Sequence, residues 1–193
     1  ARLRSRPWHS WTGAEHPFQK VIGLSDGAAR NICCPRNEDF REYLTAQFAT
    51  IAKANPEIIM IDDDCGLLYR SFKGCACPAC LQDFNRRAGT NFTRKELFSK
   101  IVSKAKEDEK YQSIYVISQG DALVGAVKAM RKGIDSVNKG VEISVDPSKS
   151  GDGGILDLDL IVDIQRAALL VDGGVHPGGL HRDHQRTDVD AVQ

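Results

Sequence analysis

Four of the six cysteines fall within the stretch CGLLYRSFKGCACPAC, Cys65 to Cys80, and the last three of these form a C-x-C-x-x-C pattern. The other two, Cys33 and Cys34, are adjacent. Disulfides suit this distribution poorly, because residues so close in sequence strain the bridge geometry. Thiolates gathered on a metal ion suit it better, since zinc prefers four soft ligands in a tetrahedron. Cys75, Cys77 and Cys80 supply three ligands from a loop running into a helix, and Cys34 or Cys65 supplies the fourth. Four thiolates leave no open coordination position for water, so such a site stabilises a fold and does not catalyse. The rival expectation, inert thiols in a core, is opposed by Lys73, Gly74 and Pro78, which read as loop surface.

Just ahead of the cysteines, IIMIDDD places Asp62, Asp63 and Asp64 at the end of a short apolar run. The run reads as a parallel strand buried on both faces, and the C-terminal ends of such strands are where α/β folds place their chemistry. Three adjacent carboxylates repel one another unless a substrate, a metal, an Arg or solvent accommodates them. The period of two puts Asp62 and Asp64 on one side and Asp63 on the other. The plain alternative is an acidic strand end that caps the following loop. Trp8, His9 and Trp11 add a candidate sugar platform, because aromatic faces pack on pyranose C–H surfaces; core filling is the equal alternative.

The elements that would position these residues alternate. From Asn37, an expected N-cap, apolar residues recur at three and four: Phe40, Tyr43, Leu44, Phe48, Ile51 and Ala52. CPACLQDFNRRAG reads as a short helix with Pro in its first turn and Gly89 at its end. TRKELFSKIVSKAKEDEK reads as a helix opened by a Thr93–Glu96 capping box and burying Leu97, Phe98, Ile101 and Val102. DALVGAVKAMRKGIDSVNKG places Leu123, Val127, Met130, Ile134 and Val137 on one face, and VEISV follows as a strand. Residues 1–32 read as loop with one short strand around KVIGL. Strands alternating with helices of this length imply a parallel α/β fold, specifically a (β/α) barrel or part of one, over residues 1–150. Residues 151–193 read as an irregular segment, with ILDLDLIVDI alternating like a strand or an exposed edge. His176, His181 and His184 within it lack helical spacing and are expected to be solvated rather than to hold a metal.

With 193 residues, a formal net charge of zero, 41% hydrophobic and 27% charged residues, the chain suits one ordinary domain with a real core. The balanced charge argues against a nucleic-acid partner. The absence of any long apolar run argues against a membrane partner, and the N-terminal ARLRSRPWHSW lacks the apolar core of a signal peptide, so the expected location is cytoplasmic. The first residue is Ala rather than Met, which leaves an upstream piece open. A homo-oligomer is compatible with this reading.

The order CCPRNEDFREYLTAQFATIAKANPEIIMIDDDCG, then GCACPACLQDFNRRAG, then FTRKEL resembles the core of the clan-A glycoside hydrolases similar to the family 42 β-galactosidases. The likeness covers approximately residues 8–145, and the cysteine spacing is its most specific part. It implies a TIM-type barrel acting on O-glycosidic bonds of a carbohydrate, with a structural zinc on Cys34, Cys75, Cys77 and Cys80. The family's Asn-Glu pair falls on Asp63 and Asp64, so Asp64 stands where the acid/base glutamate is expected, with a reach shorter by about 1 Å. Asp63 would position the sugar or the catalytic carboxyl, and Asp62, Trp8, His9 and Trp11 would contact substrate. Retaining glycosidases need a second carboxyl about 5 Å away. Glu142 is the last glutamate, and Asp146, Asp157 and Asp159 are the substitutes weighed for that role. A truncated or weakly active partial barrel is therefore expected.

Two other classes compete. A phosphohydrolase of the haloacid-dehalogenase type would use Asp62 and Asp64 as its D-x-D pair with magnesium, leaving the cysteines unexplained. A non-enzymatic zinc-stabilised fragment would use the loop around Lys73 to bind a partner.

Overall fold

The computed structural model describes residues 2–5, 17–61, 66–68 and 70–145, with residues 2–5 and 145 described by backbone alone. In chain order the elements are β1 (Arg2–Ser5), β2 (Lys20–Ile22), β3 (Ala29–Cys33), α1 (Glu38–Ala52), β4 (Ile58–Ile61), α2 (Pro78–Ala88), α3 (Arg94–Ile101), a 3-10 turn (Lys106–Asp108), α4 (Glu109–Asp135) and β5 (Glu142–Val145).

Three strands form a parallel sheet in the order β1-β4-β5, with Ile59 opposite Leu3 on one side and Ile143 on the other. The connections carry α1 between β1 and β4, and α2 to α4 between β4 and β5. Ile59 and Ile61 are fully buried in one core with Phe40, Leu44 and Phe48 of α1 and with Leu123, Val127, Met130 and Ile134 of α4. Both long helices therefore cover the same sheet face and pack along each other. Their approach is close because Gly133 faces the backbone of Thr45 and Ala49, where no Cβ has room. The Thr45 hydroxyl donates across the crossing to the Ala129 carbonyl, at 3.0 Å.

Several local expectations are met at the level of single bonds. Asn37 Oδ1 accepts from Phe40 N at 2.9 Å and starts α1; the Thr93–Glu96 capping box starts α3; left-handed Gly89 ends α2. Others are corrected. IIMI is buried on one face only, since Ile58 and Met60 on the alternate face are half-buried. The segment read as one helix from Thr93 to Lys110 breaks after Ile101. Gln112 Nε2 donates to the Ser103 carbonyl at 2.7 Å and Lys100 pairs with Asp108 at 3.0 Å, so α4 folds back on the end of α3. Val102 is consequently 52% exposed. Helix α4 begins a full three turns before Asp121, and Val137, beyond its end, is 41% exposed. β1 and β3 lie in the region expected to be mostly loop; both are made by pairing with distant or neighbouring strands, which local composition does not report.

Among the described residues, no helix is long and apolar enough to cross a membrane. Asp62, Asp63, Asp64, Trp8, His9, Trp11 and residues 151–193 lie outside the described residues.

Candidate metal centre

A small antiparallel assembly beside the main sheet brings the cysteines together. β2 and β3 pair with Lys20 opposite Cys33, and Cys34 follows immediately, its N–H donating to the Gln19 carbonyl at 2.8 Å. On the other edge of β2, the segment around Cys75 pairs as a further short strand. Leu24 N donates to Gly74 O at 3.2 Å and Ala76 N donates to Ile22 O at 2.7 Å, bracketing an isolated bridge between Gly23 and Cys75. The hairpin thus carries Cys34 to the C-x-C segment across 41 residues of sequence. Cys77 is the N-cap of α2, Pro78 opens the helix, and Cys80 lies in its first turn. Both ligand segments precede a helix that follows a parallel strand, α1 after β1 and α2 after β4.

The four sulfurs of Cys34, Cys75, Cys77 and Cys80 all lie within 4.8 Å of one another, and all four residues are buried. Cys34 Sγ is 3.6 Å from Cys80 Sγ, 3.6 Å from Cys77 Sγ and 3.9 Å from Cys75 Sγ. A zinc–sulfur bond of about 2.3 Å gives a tetrahedron with edges of roughly 3.8 Å, so the spacing fits that ion. It is far too long for a sulfur–sulfur bond, and all five described cysteines are free. Cys33 belongs to the apolar core instead, where burial pushes its thiol up.

Four thiols this close cannot all ionise by themselves. Cys77 is held far below the ordinary thiol range, first by its hydrogen bond with Cys34 and then by those with Cys75 and Cys80, and Cys34 is lowered chiefly by its bond with Cys75. Cys75 and Cys80 are pushed far above that range, first by their hydrogen bonds with Cys34. Zinc, when bound, supplies the positive charge that lets all four be thiolates. Cys77 and Cys80 lie at the N-terminus of α2, which favours the same charge, and the Cys80 backbone N–H lowers Cys77 further.

Buried polar groups hold the two ligand segments in place. Gln119 of α4 accepts from Cys75 N at 2.8 Å and donates to Cys75 O at 3.1 Å; Tyr115 donates its hydroxyl to Lys73 O at 3.0 Å and Cys75 O at 3.3 Å. Gly74, at φ +88°, lies against that hydroxyl, and a Cβ there would come within 2.5 Å of it. On the other flank Arg36, two residues beyond Cys34, meets Asp83 of α2 at 3.0 Å, and Arg86 and Arg87 reach the same carboxylate at 2.5 and 2.8 Å. Burial raises the Asp83 carboxyl, but the Ser118 hydroxyl and the surrounding guanidinium groups outweigh it and hold the group below its ordinary value. This bridge joins the Cys34 segment to the helix that carries Cys80.

Of the two alternatives for the fourth ligand, Cys34 joins the cluster, and Cys65 lies outside the described residues. The acidic corner of Asp62, Asp63 and Asp64 and the platform of Trp8, His9 and Trp11 lie outside the described residues. Gln119, Tyr115, Arg36 and Asp83 were not singled out from sequence. The one available signal was a polar residue, Gln119, four residues from Tyr115 and four from Leu123 on a stripe that is otherwise apolar. Compared with known protein families, curated proteins and solved structures, the chain finds no match.

Proposed function

We propose that this chain is a zinc-stapled (β/α)-barrel unit that hydrolyses O-glycosidic bonds, with Asp64 as proton donor and Asp63 positioning the sugar. Zinc on Cys34, Cys75, Cys77 and Cys80 would hold the loop after β4, the strand that ends at the aspartates. Asp62, Trp8, His9 and Trp11 would contact the carbohydrate. The observation that carries the reading is the convergence of those four cysteines in one buried cluster, their sulfurs all within 4.8 Å of one another. It is the same set that the resemblance to the family 42 β-galactosidases selects, and one that the haloacid-dehalogenase reading leaves without a role. The sequential order β1-β4-β5, with α1 and α4 on one face, is also the way successive units of a barrel are wound.

The metal and the chemistry are tested separately. Elemental analysis of the purified chain is expected to give about one zinc per chain, lost when Cys77 and Cys80 are both changed to Ser. A panel of nitrophenyl glycosides is expected to contain at least one substrate, and Asp64→Asn is expected to abolish its turnover. Unchanged turnover in that variant would remove Asp64 from the mechanism. An inactive wild type across the panel would sink the glycosidase reading while leaving the metal centre standing.

A further inference from the structure

The pairing around Cys75 leaves a specific need. In the antiparallel contact with β2, the hydrogen bonds run through Gly74 and Ala76, so the N–H and carbonyl of Cys75 itself point away from the hairpin. Cys75 is fully buried, and a buried peptide with both groups unpaired is costly. Gln119, also fully buried, meets both at once, its amide oxygen accepting from the N–H and its amide nitrogen donating to the carbonyl. It thereby takes the place of a neighbouring strand. The preceding backbone gives Cys75 no regular support, since Lys73 and Gly74 are both left-handed, at φ 58° and 88°. Tyr115, one helical turn earlier, fixes that turn through the Lys73 carbonyl.

We propose that Gln119, assisted by Tyr115, is the positioning residue of the metal centre: it sets the orientation of the Cys75 ligand and thereby how slowly the ion is released. The proposal rests on the zinc reading of the four cysteines. Of the ordinary side chains only an amide of this length offers donor and acceptor together at this reach. Leu would orphan the Cys75 N–H and leave its carbonyl only the 3.3 Å bond from Tyr115; Glu would keep the acceptor, lose the donor and add a negative charge beside the thiolates.

Cobalt(II) in place of zinc, in the full chain, reads ligand geometry from its visible and charge-transfer bands, and transfer of zinc to a chromophoric chelator reads release. Gln119→Leu is expected to shift the cobalt bands and speed zinc release on the order of 10- to 100-fold, with Tyr115→Phe moving both the same way by less. Gln112→Leu, a change of the same type on the same helix away from the centre, is expected to leave the bands in place. A folded Gln119→Leu protein with wild-type bands and release rate would overturn the proposal, as would equal effects from Gln112→Leu. Should Gln119→Leu fail to fold, Tyr115→Phe and Gln119→Glu carry the test on the same criteria. A wild type that gives no tetrahedral cobalt spectrum would sink the metal reading itself, a result distinct from a Gln119 variant that behaves as wild type.

Discussion

Cys34 is the long-range member of the cluster, and its replacement by Ser separates the effect of a cross-link from that of a buried thiol. Through the ion, Cys34 would be tied to Cys75 across 41 residues, and closing a loop of that length removes unfolded-chain entropy worth about 4 kcal/mol at 25 °C. In Cys34→Ser the remaining three cysteines still reach a metal from one segment, so zinc binding weakens but the cross-link to the hairpin disappears. The expected result is a loss of about 4 kcal/mol in the zinc-loaded protein, roughly 8–16 °C in midpoint temperature for a chain of this size, and little loss in chelator-treated protein. Urea unfolding of wild type and variant, each with zinc and with chelator, measures the four corners of this cycle. Cys33→Ser, one residue away in the apolar core, is the control and is expected to cost about 1 kcal/mol irrespective of metal. Equal losses for Cys34→Ser with and without zinc would refute the cross-link, because a packing defect does not depend on the ion.

Gly133→Ala sets helix propensity against packing: propensity alone would stabilise α4 by about 1 kcal/mol, but the new Cβ would meet the backbone of Thr45 and Ala49, the latter at 3.0 Å. Backbone cannot rotate aside, so a net loss of about 2 kcal/mol is expected in thermal unfolding, and a gain would show that the helices can separate freely. Asp83→Asn leaves Arg36 and Arg87 without their shared carboxylate and is expected to cost about 3 kcal/mol at neutral pH. Because the Asp83 carboxyl is lowered from its ordinary value of 3.8, its contribution is complete above that pH and disappears as the pH falls through the lowered value. The gap between wild type and variant should therefore be constant from pH 7 to about 5 and close in strong acid; a gap that widens on acidification would contradict the assignment.

Features whose partners are a few residues apart could be read directly. Asn37 capping α1, the Thr93–Glu96 box and Gly89 at the end of α2 each depend on a bond made within the same helix turn, so residue type and spacing suffice. The apolar rows of α1 and α4 were legible for the same reason, since helical period puts Phe40, Leu44 and Phe48, or Leu123, Val127 and Met130, on one side whatever they pack against. The start of α4 was not, because Tyr111 to Gln119 mixes aromatic, polar and apolar residues. Their burial follows from what α4 lies against, Phe84 and Phe92 on one side and the Cys75 segment on the other.

The sequence by itself determined three of the candidate donors: soft sulfur in a C-x-C-x-x-C loop, with Pro78 fixing the start of the helix that presents Cys80. Residue spacing left Cys34 and Cys65 as alternatives and only the resemblance chose Cys34; the tertiary structure brings Cys34 into contact with the other three, because the hairpin paired to the Cys75 segment carries it there. It also decided that Gln119 and Asp83 hold the centre together. Their partners lie 44 and 47 residues away in the chain, at Cys75 and Arg36, and a hydrogen bond or ion pair over that separation exists only once the core has brought the elements together.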